Sequence, residues 1–274
     1  GAAPERGVPM TCPGRRHVLE TFTAPGSFGD GEVLMSRFHP AGERLPLVVV
    51  FHGVHGCADP SPGEKYGDLG RFLAEEGIGC VLAESSRKRR DRGIFGDDRA
   101  GWAVAAFEGK TFLQELADAA SALDRVSALW PASPLWIWGF SLGGLLGTLL
   151  AGRAAGPLLG REEVSVPRLR GLVLAGSGDS LKPGREDQTR LPVLDSLPEQ
   201  RWLHEAARNL SGIRLGAFRG TKDETFTQGA CRRLVDLAPL PEPDRFYQEL
   251  EGVDHAFRTL NGEPSRQPLR AMIR

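Results

Sequence analysis

Cysteine is scarce in this chain, with 4 in 274 residues. Cys12, Cys57, Cys80 and Cys231 show no C-x-x-C spacing and are too few for a disulfide framework. Cys80 falls inside a strand-like run and reads as core; a disulfide among the other three stays open. An excess of charge is missing too. A net charge of −1 gives no bulk electrostatic case for nucleic acid or an anionic membrane as a partner. No apolar run reaches the roughly 18 residues of a transmembrane helix, so a soluble protein is expected. The chain starts Gly1-Ala2-Ala3-Pro4 without an initiator methionine, which reads as a processed or engineered start. Both a cytoplasmic protein and an exported one that has lost a leader therefore remain open. Internal repeats and low-complexity tracts are absent.

What is present describes an ordinary globular protein, 41% hydrophobic and 25% charged. The length allows one large α/β domain or two small ones and is ample for a core. Only five of the 34 basic residues are lysines, a bias without functional meaning here. The run Arg87-Lys88-Arg89-Arg90-Asp91-Arg92 is short and lacks interleaved aromatics, so it reads as a solvated loop.

Residues 1–14, rich in Pro and Gly, predict a loose arm. Two β-prone runs, 16–23 and 32–38, flank a turn-forming stretch and predict an antiparallel hairpin. The continuous apolar runs 45–51, 78–83, 135–140 and 169–175 then predict strands buried on both faces, as in a parallel sheet. Further strands are expected over 213–218 and 245–250. Helices are predicted over 66–76, from Thr111 to about Leu129 behind a Thr111-x-x-Gln114 capping box, over 145–155, and over 224–237. Between them lie a long polar loop (84–109) and a proline-punctuated stretch (180–212). The latter holds one helical piece near 199–209 and has the scale of a small cap. Strands alternating with helices behind a hairpin argue for one α/β domain with a mostly parallel sheet.

The chemistry gathers at strand ends, where functional groups of such sheets collect. The strand 135–140 runs into Gly139-Phe140-Ser141-Leu142-Gly143-Gly144. Gly-x-Ser-x-Gly alone is a modest signal in a chain with 35 glycines. Between a strand and a helix it has a mechanical meaning: a turn so sharp that its serine stands exposed at the strand end. A serine needs a base, and of the six histidines His255 follows the last strand, downstream of the acid candidates. His204 lies in the expected cap and reads as a helix-surface residue. For the acid, Asp223 after Gly220-Thr221-Lys222 is first choice and Asp179 the rival. Glu224 could begin a helix, and Asp254 adjoins His255 too closely in sequence to face it. The loop His52-Gly53-Val54 after the Val-rich strand would supply one oxyanion donor, the N–H of Val54, and Leu142 the other. Read as a metal pair, His52 and His55 would need a third ligand that the loop does not offer.

With His52-Gly53, the Ser141 turn, Gly220-x-x-Asp223 and His255 in this order, residues 15–260 resemble an α/β-hydrolase-fold serine hydrolase, carboxylesterase-like. The resemblance implies a central, mostly parallel eight-stranded sheet with helices on both faces and a Ser141–His255–Asp223 triad. It also implies a lid corresponding to 180–212. Serine at position 141 sets aside the aspartate-nucleophile dehalogenases and epoxide hydrolases and the cysteine-nucleophile dienelactone hydrolases. The expected activity is hydrolysis of a small-molecule carboxylic ester without cofactor or metal. A peptidase or thioesterase of the same fold is the alternative, and a binding protein that has lost catalysis the remoter one. Only 19 residues follow His255, with Pro264 and Pro268 among them, so a short or irregular final helix is expected.

Overall fold

The computed structural model describes residues 10–11, 17–40, 45–54, 56–162, 164–182, 191–260 and 263–274. A two-residue strand β1 (Met10–Thr11) precedes the hairpin β2 (His17–Pro25) and β3 (Glu32–Pro40). Next come β4 (Leu47–Phe51), α1 (Lys65–Glu75) and β5 (Gly79–Glu84). Then follow α2 (Arg99–Phe107), α3 (Phe112–Leu129), β6 (Leu135–Phe140) and α4 (Leu142–Ala151). After α5 (Ala155–Leu159) and β7 (Leu169–Ala175) come the short α6 (Pro192–Asp195) and α7 (Gln200–Arg208). The chain closes with β8 (Arg214–Gly220), α8 (Ala230–Leu237), β9 (Arg245–Leu250) and α9 (Gln267–Ile273).

The sheet order is β1-β2-β3-β5-β4-β6-β7-β8-β9, parallel from β5 to β9 and antiparallel at the β1–β3 edge. Eight long strands make the expected sheet, and the short β1 adds a ninth beyond it. In the arm 1–14 only β1 is described, and it pairs with Leu19 and Val18 rather than hanging loose.

Strand alternation divides the apolar residues between two faces. Val49 and Phe51 of β4 join the core under α2, α3, α4, α7 and α8, while Val48 and Val50 join a smaller one under α1 and α9. Trp138, 3% exposed, and the partly buried Trp136 belong to the smaller core. The box at Thr111 is formed, with Thr111 Oγ1 accepting from Gln114 N–H and Gln114 Oε1 from Thr111 N–H. The final helix is indeed short, seven residues packed on α1.

Four expectations change. The stretch 84–109 is not all loop. It contains α2, whose Trp102, Ala103 and Ala106 are buried. The helix expected over 145–155 starts at Leu142, directly after the turn serine. The helix expected from Glu224 starts only at Ala230, because 221–229 is needed as a loop at the end of β8. The stretch 180–212 is only in part what its composition suggested. Residues 183–190 lie outside the described residues, and α7 is the crossover helix from β7 to β8. It packs so tightly on the end of α4 that a Cβ on Gly152 would stand 2.2 Å from the Ala206 carbonyl oxygen. Its Leu203, Ala206 and Ala207 are core. Leu191 and Val193 are core as well, and from this stretch Leu181, Leu194 and Leu197 border the cleft described below.

Cys57, Cys80 and Cys231 are free thiols; Cys12 lies outside the described residues. No helix among the described residues is long and apolar enough to cross a membrane.

Candidate active site

The turn between β6 and α4 is as sharp as its glycines allow. Ser141 has φ 51° and ψ −115°, a backbone conformation that costs a non-glycine residue about 1–3 kcal/mol. A Cβ on Gly139 would stand 2.3 Å from the Gly143 carbonyl oxygen, and one on Gly143 2.2 Å from that of Phe51. Both close approaches exclude any side chain. Hydrogen bonds pin the strained residue. Ser141 N–H donates to the Ala175 carbonyl at 2.9 Å, and Ser177 Oγ donates to the Ser141 carbonyl at 2.8 Å.

His255 meets this serine from the loop after β9. Its Nδ1–H donates to Asp223 Oδ2 at 2.7 Å, and Ser141 Oγ donates to its Nε2 at 3.1 Å. A carboxylate acceptor at Nδ1 fixes the tautomer that leaves Nε2 free to take a proton. Asp223 is 3% exposed and also accepts from Thr225 N–H at 3.0 Å. Burial alone would raise its carboxyl. The His255 hydrogen bond and charge and the Thr225 N–H outweigh burial and hold the group below the usual carboxylate range. The acid and histidine loops are stapled together. Thr221 and Lys222 N–H donate to the carbonyls of Leu250 and Val253, and Gly252 N–H donates to Thr221 Oγ1.

Asp179, the rival acid, is engaged elsewhere. Arg233 donates to both its oxygens at 2.7 and 2.8 Å, and His204 Nε2 lies 2.8 Å from Oδ2. His204 is thus the partner of a buried carboxylate, not a bare helix-surface residue. Asp254 lies near Arg258 instead of His255.

The loop after β4 passes beside the serine, where a Cβ on Gly53 would stand 3.4 Å from Ser141 Cβ. Val54, Ser141, Leu142 and His255 border one cleft of about 690 Å³. Leu142 opens α4, so its N–H has no acceptor one turn back along the helix. Tyr66 Oη accepts from Gly53 N–H at 3.2 Å. His52 points away from the cleft: Ser85 N–H and Arg87 Nη2 both donate to its Nε2, at 3.1 and 3.3 Å. Its proton therefore sits on Nδ1, which donates to the Gly53 carbonyl at 2.7 Å. Burial, then the Arg87 charge, holds His52 below the ordinary histidine range against the pull of Glu115. With both nitrogens taken, the ring is a neutral brace; His55 lies outside the described residues.

Sequence reasoning missed the support behind that brace. Arg87, expected in solvent, is 0% exposed and donates to the carbonyls of Ser85 and Gly56 as well as to His52. Lys110 is equally buried and pairs at 2.7 Å with both Glu115 and Asp118. Ser85 Oγ donates to Glu115, whose pKa falls to about 2: burial opposes ionisation, and Lys110 above all outweighs it. No local pattern in the sequence announces this network, because its charges pair only in the folded chain.

No family model matches the chain, and no curated protein matches it in sequence. Solved structures do match. An esterase domain from a Rhodothermus marinus protein superposes with a TM-score of 0.59 at 15% identity, over 93% of this chain and 94% of that one. A Xanthomonas campestris α/β serine hydrolase without a lid gives 0.55 at 16%, over 96% and 93%. A hyperthermophilic esterase from the archaeon Pyrobaculum calidifontis gives 0.60 at 17%, over 93% and 81%. The chain has the α/β-hydrolase fold. That fold hosts many activities, so the reaction has to be argued from the site.

The brace carries a prediction for any ester hydrolysis at Ser141. Arg87→Met removes the donors that hold the Gly56 carbonyl and His52, freeing the 53–56 loop. A drop in kcat of about 100-fold is expected, comparable to losing one oxyanion donor, with KM within a few fold. Steady-state kinetics check it. Unchanged kcat would mean that the loop holds its place without Arg87.

Proposed function

We propose that the protein is a serine hydrolase that cleaves small-molecule carboxylic esters through an acyl-enzyme. The observation that carries this reading is the continuous hydrogen-bonded line Asp223–His255–Ser141, ending on a half-buried serine that borders a cleft. Ser141 Oγ attacks the ester carbonyl while His255 Nε2 takes its proton. Asp223 stabilises the imidazolium. The tetrahedral oxyanion is held by the backbone N–H groups of Leu142 and Val54. His255 returns the proton to the departing alcohol. Water, deprotonated by the same nitrogen, then releases the carboxylic acid and restores Ser141. Every group required is an amino-acid side chain or backbone amide, so the reading calls on no cofactor and no metal. The esterase names of the structural neighbours agree with it. Leu181, Leu194 and Leu197 border the cleft, and we assign these leucines as the wall for the apolar part of the substrate.

A fluorophosphonate probe tests the nucleophile. Ser141 Oγ is expected to displace fluoride from phosphorus, giving one label per chain that peptide mapping places on Ser141. Labelling elsewhere, or none, would remove the assignment. Comparing kcat/KM on a nitrophenyl ester, a peptide anilide and an acyl-CoA settles the leaving-group class, with the ester expected to be fastest.

A further inference from the structure

The wall of the Ser141 cleft is unevenly charged. Lys65, Arg92, Arg99, Arg258 and Arg266 border it, against the carboxylates of Glu64 and Asp97. Part of this excess is neutralised locally: Arg92 lies near Asp59 and Glu64, Arg258 near Asp254, and Arg266 bonds Asp68. The Lys65 ammonium and the Arg99 guanidinium have no ion pair or hydrogen bond among the described residues. The Lys65 ammonium stands over aromatic faces instead, 4.4 Å from the Phe140 ring centre and 4.7 Å from that of Tyr66. Phe140 directly precedes the nucleophile, and Tyr66 holds Gly53 beside it. An uncompensated ammonium is thus built into the wall close to the reacting serine.

Such a group is costly. Lys65 is half-buried in the cleft wall; drawing an ammonium partly out of water without a counter-charge is unfavourable, and cation–π contacts recover only part of the loss. Burial first, and then Arg266, Arg99 and Arg258, bring the Lys65 pKa down to about 7, with Asp254 pulling the other way. The site therefore stores a deficit of negative charge that a ligand can fill. We propose that the substrate is an ester bearing an anionic group, which Lys65 binds in the cleft with Arg99 assisting. This rests on the serine-hydrolase reading above and adds the class of ester.

The test compares nitrophenyl pentanoate with two anionic esters of similar length, nitrophenyl glutarate carrying a carboxylate and nitrophenyl 4-phosphonobutanoate carrying a phosphonate. Assays run just below pH 7, with uncatalysed rates subtracted. The native enzyme is expected to favour at least one anionic ester by tenfold or more in kcat/KM, an advantage that shrinks as salt is added. Lys65→Met should reduce that selectivity ratio about tenfold, Lys65→Arg should retain most of it, and Arg99→Gln should reduce it by a few fold. The two anionic arms distinguish a carboxylate from a phosphoryl ligand. Equal or lower kcat/KM on both anionic esters, or a ratio untouched by Lys65→Met, overturns the anion proposal and leaves Ser141 standing. Hydrolysis of the neutral ester that survives Ser141→Ala overturns the serine reading on which it rests.

Discussion

Replacing Ser141 with alanine is expected to lower kcat on any ester about 10⁶-fold, with little change in ester binding. The loss is total for the covalent route, because among the described residues Ser141 Oγ is the hydroxyl bonded to His255 Nε2. Residual hydrolysis would come from the oxyanion donors and from water oriented by His255. The substitution removes only a hydroxyl from a residue whose backbone is pinned by Ala175 and Ser177, so the fold should survive. Unchanged near-ultraviolet circular dichroism would confirm this. Retention of more than about a hundredth of native kcat would show that chemistry passes through another group.

The second large effect concerns the acid. Asp223→Asn is expected to lower kcat about 10⁴-fold. An asparagine amide can donate to His255 Nδ1, which moves the ring proton to Nε2, where it can no longer accept from Ser141. Geometry is preserved and direction is lost, so KM should change little. Asp179→Asn makes the contrast. It should leave kcat within a few fold but destabilise the protein by about 1 kcal/mol, since Arg233 loses a two-pronged partner while its own guanidinium stays half in solvent. Urea unfolding of both variants alongside kinetics separates the roles. If Asp179→Asn caused the kinetic loss and Asp223→Asn did not, the acid would have to be reassigned.

Much of the frame could be read from periodicity, because buried parallel strands leave unbroken apolar runs. Leu169–Ala175 and Arg245–Leu250 begin and end where expected. The Thr111 cap could be read because a capping box is local chemistry. The three residues of the proposed triad could be named because strand ends converge in this architecture. Choosing Asp223 over Asp179 could not be completed from sequence, since both follow the ends of consecutive parallel strands, β7 and β8, on the same side of β6. Only the direction of each side chain tells them apart. The helix Arg99–Phe107 was hidden behind Gly93, Gly96 and Gly109, turn-formers that mask its apolar face. Arg87 and Lys110 were hidden for a deeper reason. Polar composition normally means solvent, and pairing inside a core depends on partners that are distant along the chain. Lys65 shows no pattern at all: its meaning lies in what it lacks as neighbours.

The buried network behind the cleft reaches further than the reaction needs. Asp118 accepts from Ser27 N–H and Oγ at 2.7 and 2.8 Å, and Asp30 N–H donates to the Arg87 carbonyl at 2.9 Å. Gly29 lies so close that a Cβ there would stand 2.3 Å from that carbonyl. The turn of the edge hairpin is consequently one mechanical part with the loop after β4 that carries the proposed oxyanion donor. For protein engineering this reverses the usual advice. An exposed hairpin tip is the customary place to graft a peptide, open a circular permutant or insert a reporter domain. Here the tip at 27–31 is tied to the buried network behind the Ser141 cleft, and such a graft is expected to lower the turnover of the proposed hydrolysis.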